Sequence, residues 1–181
     1  MRTLSGKLME LITVGETNLD WQQEDMQKLF LEIGTSLKVI TEKRKMELVC
    51  ESEPGTLRAD RELMKSLLYN LVDNAVKASV EGGCIQVTGR FVGEQFQIRV
   101  SDQGVGIPQE EIEKITQAFY MVDKSRARSR NGAGLGLALC TEILSLHDSV
   151  LEIESTQGKG TRISFVLQNR DKEAEHEEID D

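Results

Sequence analysis

The chain has 181 residues, 31 acidic and 22 basic, for a formal net charge of −9. A field of that sign opposes nucleic acid and anionic membrane as main partners, and no apolar run approaches the ~20 residues that span a bilayer. Cys50, Cys84 and Cys140 are odd in number, far apart and in no Cys-x-x-Cys pair, which suits reduced, packed thiols rather than a disulfide framework. In chain order, Leu4, Leu8, Leu11 and Ile12 recur at helical spacing within an amphipathic N-terminal segment that lacks the apolar core of a signal peptide. It reads as the end of a helix whose partner helix is missing. A second helix is expected from Gln22 to Lys45, with Met26, Leu29, Phe30, Ile33, Leu37 and Ile40 on one face. Met46–Glu53 alternates like a strand, Pro54-Gly55 turns, and Leu57–Asp60 reads as a short strand.

Arg61 to about Val80 is strongly helical and stops at Glu81-Gly82-Gly83. Cys84–Phe91 and Gln95–Asp102 form an expected antiparallel hairpin. Gly104–Pro108 is a glycine-rich turn before a short expected helix, Glu110–Thr116. Ala118–Gly132 has little periodicity and a basic middle, and loops this long inside a domain are usually functional. Gly134–Leu146 is helical, and Val150–Ser155 with Thr161–Leu167 makes a closing hairpin. Asp171–Asp181 is an acidic tail of disordered composition. The mixture predicts an α+β fold, a two-layer sandwich with a mixed sheet covered on one face by helices.

Four clusters can carry chemistry. Asn70, Asn74 and Lys77, spaced by four and three, share one helical stripe beside the apolar stripe of Leu63, Leu67, Leu71, Ala75 and Ala78. Carboxamide oxygens suit Mg²⁺, and a lysine reaches phosphate; the same stripe also reads as a solvated helix edge. Asp102-Gln-Gly104-Val-Gly106 ends a strand. A buried aspartate there accepts hydrogen bonds from a purine amino group, and the glycines let backbone approach a ligand; alone, the run is equally an ordinary turn. Gly132-Ala-Gly134-Leu-Gly136-Leu137 opens a helix, where free N–H groups attract an anion, or it is a flexible helix start. It matches neither the dinucleotide-fold nor the P-loop spacing. Lys124, Arg126, Arg128 and Arg130 give four cations in seven residues, a phosphate-binding lid or a solvated loop.

The order of these clusters resembles the GHKL ATP-binding superfamily, and the wording is similar to sensor histidine kinases. Leu68–Lys77 resembles the N box, Asp102–Gly106 the G1 box, Phe119-Tyr120 the F box and Gly132–Leu137 the G2 box. Ser145-Leu-His147 and Gly158–Thr161 resemble the family's C-terminal ending. The resemblance covers about residues 20–168. It implies ATP and Mg²⁺ as ligands. Asn74 would hold the metal with Asn70 assisting, and Lys77 would contact the phosphates. Asp102 would bind the adenine amino group, helped by water that Thr161 orders, with Gly104, Gly106 and Ile107 against the base. Phe119, Tyr120, Lys124, Arg126, Gly132, Gly134, Leu135, Gly136 and Leu137 would complete the nucleotide site. Asn70, Asn74 and Lys77 would form the catalytic set.

The reaction implied is in-line transfer of the γ-phosphoryl group to a histidine on a helical hairpin. Residues 1–15 would be that hairpin's end, 16–170 the ATP-binding domain and 171–181 the tail. His147 matches a structural histidine and His176 lies in the tail, so neither resembles the acceptor. A response regulator is the implied downstream partner. The fragment would be monomeric and its parent dimeric. The domain would be cytoplasmic, with a parent anchored in the bacterial membrane. Three departures touch lid detail: Met121 replaces the usual arginine after the F box, Ala78 an aromatic residue, and Asp148-Ser149 a glycine pair. The alternatives are a related ATPase, disfavoured because those members carry a water-activating glutamate where this chain has Asn70, and a non-catalytic nucleotide-binding scaffold. A serine kinase of the same superfamily is disfavoured by the N-terminal helix.

Overall fold

The computed structural model describes residues 4–15, 18–122 and 134–168. In chain order come α1 (Leu4–Gly15), β1 (Trp21–Asp25), α2 (Met26–Glu42), β2 (Glu47–Ser52), β3 (Thr56–Asp60) and α3 (Arg61–Ala78). Then follow β4 (Cys84–Val92), β5 (Gln95–Asp102), a 3-10 turn (Gln109–Glu111), α4 (Gly136–Leu146), β6 (Glu152–Thr156) and β7 (Gly160–Gln168). The main sheet has the order β2-β4-β5-β7-β6. Only β2 and β4 run parallel within it; the other neighbours are antiparallel. This is the mixed sheet expected from the alternation of patterns along the chain.

Strand β5 shows why one face is covered. Phe96, Ile98 and Val100 are buried, while Gln97, Arg99 and Ser101 between them stay partly exposed. The buried row meets α2 and α3: Phe30 packs edge-on against Phe96 with ring centroids 6.3 Å apart. Met64, Leu67, Leu68, Leu71 and Val72 of α3 are also in this core. Each such side chain contributes about 1.5–3 kcal/mol on burial. Gly89 of β4 is what lets the aromatic rings close up, since a methyl there would stand 2.6 Å from Phe96 and 2.8 Å from Phe30.

Three expectations about local structure are corrected. The helix expected from Gln22 to Lys45 begins at Met26 and ends at Glu42. Residues Trp21–Asp25 instead pair antiparallel with Thr56–Asp60 as a separate two-stranded ribbon. Asp25 stops the strand and caps the helix, its carboxylate accepting the Lys28 N–H at 3.1 Å. The helix expected at Glu110–Thr116 is regular only as the 3-10 turn Gln109–Glu111. A segment that short is too brief to propagate a helix without strong packing. Helix α4 begins at Gly136 rather than Gly134.

Asp60 joins distant parts of the chain. Its carboxylate caps α3 by accepting the Leu63 N–H at 3.0 Å, and it accepts the Asp20 N–H at 3.0 Å. Its own N–H donates to Nε2 of buried His147 at 3.3 Å. Nδ1 of His147 donates to the Ile143 carbonyl at 2.7 Å, and Trp21 packs edge-on against the ring. His147 is thus a structural residue, as the sequence suggested. Helix α1 lies against α4. Val14 is buried, the Ser66 hydroxyl of α3 donates to the Glu10 carboxylate, and Leu8, Met9 and Ile12 remain exposed. Among the described residues no helix is long and apolar enough to cross a membrane.

Candidate functional site

The second half of α3 forms the floor of the site. Asn70 is 2 % exposed, not a solvated helix edge. Its Nδ2 donates to the Ser66 carbonyl at 2.8 Å. This bond fixes the amide plane. Asn74 is half-buried one turn on. The start of α4 faces both amides. A methyl placed on Gly136 would lie 3.3 Å from Asn74 Oδ1 and 3.6 Å from Asn70 Oδ1. Gly136 of the G2 run and the N-box asparagines, more than sixty positions apart in sequence, therefore meet across the site. Among the described residues no side chain caps α4. Its first N–H groups and the positive end of its dipole thus point to the space beside the two amides. Lys77 stands on the same helix, but its ammonium is held by Asp73 at 2.6 Å.

The Asp102 loop closes the other end of α3. The Val105 N–H donates to the Ala78 carbonyl at 3.1 Å. A methyl on Gly104 would come within 2.6 Å of that same carbonyl oxygen. Gly106 has φ +66, and a methyl there would lie 2.1 Å from the Thr156 carbonyl oxygen. Both positions admit only glycine, because backbone packs where a side chain would stand. Asp102 Oδ1 accepts the Gly104 N–H at 2.7 Å. Burial pushes the carboxyl above the usual carboxylate range, while the Gly104 and Thr161 backbone N–H groups pull the other way. Asp102 faces Thr161 directly across β5 and β7, and Thr161 faces Ser155 across β7 and β6. Directly opposed residues share one side of a sheet. These three residues line a cavity of about 530 Å³.

The F-box residues are tied to Gly134 of the G2 run. The Phe119 N–H donates to the Gly134 carbonyl at 2.9 Å, with Phe119 itself at φ +66 and its ring 62 % exposed. The Tyr120 hydroxyl donates to the Glu111 carboxylate. Leu135 is buried and Leu137 packs against the core, so their side chains anchor α4 rather than line the site. Ile107 reaches the site network through its backbone N–H, which donates to Ser155 Oγ at 2.8 Å. Lys124, Arg126 and Gly132 lie outside the described residues. Sequence reasoning missed Ser66, Asp73, Glu111 and Ser155, none of which sits in a telling pattern.

The arrangement combines the acceptors of Asp102, beside the C-terminal end of α3, with the amides of Asn70 and Asn74 one to two turns earlier on that helix and the N-terminus of α4 beside them. Such a set of groups suits a ligand that carries both an amino edge and anionic oxygens. Residues 59–171 match the model of the histidine kinase-, DNA gyrase B-, and HSP90-like ATPase family. The chain belongs to this family, as a catalytic ATP-binding domain of the sensor histidine kinase type. It is 37 % identical over 116 residues to the sensor histidine kinase WalK of Bacillus subtilis, a match spanning 63 % of this chain and 19 % of that relative. Among solved structures it resembles the catalytic domain of histidine kinase ThkA, at 26 % identity and TM-score 0.73, covering 83 % of this chain and 97 % of that one. It shares its fold with full-length ShkA in complex with AMPPNP, at TM-score 0.77 and 22 % identity, covering 89 % of this chain and 34 % of that one. The chain thus spans about a fifth of the length of WalK.

Proposed function

We infer that this domain binds Mg²⁺-ATP and donates its γ-phosphoryl group to a histidine on a helical hairpin, which passes it to a response regulator. The observation that carries the reading is the meeting of Asn70 and Asn74 of α3 with Gly136 at the start of α4, close to the C-terminal end of α3 that Asp102's loop closes. The residues fit the ligands. Backbone packs directly against Gly104 and Gly106, the half-buried Asp102 has Oδ1 fixed by the Gly104 N–H, and two amide oxygens stand near the α4 N-terminus, where they would suit a hard cation. Asn74, with Asn70 beside it, would hold Mg²⁺, whose role when bound is to neutralise phosphate charge. The protein's own contribution is positioning. Asp102 accepts from the adenine amino group, the α4 N-terminus receives phosphate oxygens, and Lys77 exchanges Asp73 for phosphate. Lys124, Arg126 and Gly132 would close over the triphosphate.

Asn70 also separates this reading from hydrolysis. An amide cannot take a proton from water, so nothing at that position activates a nucleophile. Residues 1–15 belong in this reading to the hairpin, residues 16–170 to the ATP-binding domain and 171–181 to an acidic tail. The parent protein dimerises through the hairpin and is anchored in a bacterial membrane with this domain in the cytoplasm. The chain itself should sediment as a monomer, and a stable dimer in sedimentation would overturn that expectation. Calorimetric titration with a non-hydrolysable ATP analogue, with and without Mg²⁺, tests the site. Binding should be lost in Asp102→Ala and should lose its Mg²⁺ dependence in Asn74→Ala. Binding that is indifferent to both substitutions overturns the assignment. A supplied acceptor hairpin that stays unphosphorylated despite tight binding overturns the transfer step alone.

A further inference from the structure

The Ser155 hydroxyl sits at the centre of a small network. It donates to the Gly160 carbonyl at 2.9 Å, accepts the Ile107 N–H at 2.8 Å, and lies 2.9 Å from Thr161 Oγ1. A hydroxyl has one proton and two lone pairs. The Gly160 carbonyl can only accept, so it takes the Ser155 proton. The Ile107 N–H takes one lone pair. The remaining lone pair must receive the Thr161 proton. Every hydrogen bond in the network is then made, and Ser155 has no capacity left over.

The consequence falls on Thr161. With its proton committed to Ser155, Oγ1 shows only lone pairs to the cavity it shares with Asp102. The Asp102 carboxylate beside it is also an acceptor, and its direction is fixed by the Gly104 N–H. Where Asp102 and Thr161 meet the cavity, both therefore present acceptors. A base edge that brings an N–H finds partners, whereas one that brings a carbonyl sets its lone pairs against theirs in a half-buried pocket. Sites built to pair a ligand's donor reject the analogue that lacks it by large factors. We propose that Ser155 is a specificity-determining positioning residue. By fixing the direction of the Thr161 proton, it makes the pocket select a 6-amino purine nucleotide over a 6-oxo one. The same hydroxyl ties the Asp102 loop, through Ile107, to the β6–β7 hairpin. The proposal rests on the nucleotide-site reading above.

The test compares ADP with inosine diphosphate, in which the 6-amino group is replaced by an oxygen, by calorimetry on the full chain with Mg²⁺ present. Wild type should prefer ADP strongly. Ser155→Ala frees the Thr161 proton to turn into the pocket, and the preference should narrow about tenfold, the worth of roughly one hydrogen bond. Ser155→Thr keeps the hydroxyl and should keep the preference. A Ser155→Ala protein that binds both nucleotides more weakly by the same factor overturns the proposal, because the residue would then only brace the loop. If Ser155→Ala does not fold, Thr161→Val decides. That variant keeps the shape and removes the acceptor, and an unchanged preference overturns the proposal. Wild-type chain that binds neither nucleotide refutes the underlying site instead.

Discussion

Gly136→Ala separates folding from binding in a way few other substitutions here can. The added methyl would stand 3.3 Å from Asn74 Oδ1, 3.4 Å from its Nδ2 and 3.6 Å from Asn70 Oδ1. These contacts are tight but involve amide tips rather than backbone, so the Asn74 side chain yields by a few tenths of an ångström. Turning it off its rotamer costs about 0.5–1.5 kcal/mol. Replacing glycine in the first turn of α4 returns about 0.5 kcal/mol through reduced unfolded-state entropy. The net change stays within about 1 kcal/mol, or roughly 2–4 °C in Tm for a chain of this size. Binding is another matter, because the methyl occupies the gap between the α4 N–H groups and both amide oxygens. Mg²⁺-dependent affinity for an ATP analogue should fall about tenfold to a hundredfold, as expected for groups displaced from their working positions. Thermal melting and calorimetry on one preparation give both numbers. A variant that melts like wild type and binds Mg²⁺-nucleotide like wild type would show that Asn70, Asn74 and the α4 start do not face a common ligand.

Other outcomes follow from the same geometry. Asp102→Asn should raise the Tm of the nucleotide-free protein at neutral pH while removing adenine binding. The folded carboxyl titrates above its unfolded counterpart, so the native state binds more protons between those two values. Stability from this group is present below that window and lost as pH rises through it, and the gap between variant and wild type should close in acid. His147→Ala leaves the buried Asp60 N–H without its acceptor and opens a cavity beside Trp21, a loss of about 3 kcal/mol visible in urea unfolding, with nucleotide affinity unchanged while the protein is folded. Gly158 and Gly160 both have positive φ, yet a methyl on Gly158 meets nothing within 4 Å while one on Gly160 would lie 2.1 Å from the Asp102 carbonyl oxygen. Gly158→Ala should therefore cost only the left-handed backbone term of about 1–2 kcal/mol. Gly160→Ala should cost about 3 kcal/mol or more in the same assay and disturb Asp102 as well.

The asparagine stripe was readable because helical period is a local property: spacings of four and three suffice to put Asn70, Asn74 and Lys77 together. Local sequence could not show that Asn70 would be buried, because that depends on α4 arriving from far down the chain. Strand β1 was missed for a related reason. Trp21-Gln-Gln-Glu-Asp25 has no alternation of apolar residues, and only pairing with Thr56–Asp60 makes it extended. The one cue available was Asp25, a good cap three positions before Lys28. Ser155 gave no cue at all. A serine in a strand is unremarkable until register sets it opposite Thr161, which is itself opposite Asp102. The glycines were legible as a group, but only the space around each one tells Gly158 from Gly160.

The contact between Glu10 and Ser66 gives the N-terminal helix a short mechanical reach. Ser66 bonds α1 through its hydroxyl and bonds the Asn70 amide through its carbonyl. One residue is thus both the fulcrum of the incoming helix and the stop that orients the amide beside Asn74. A turn or slide of α1 is felt within a single helical pitch, about 5.4 Å, of the nucleotide groups. Information about the position of α1 need not cross the domain, because it enters one turn below the asparagine that meets α4.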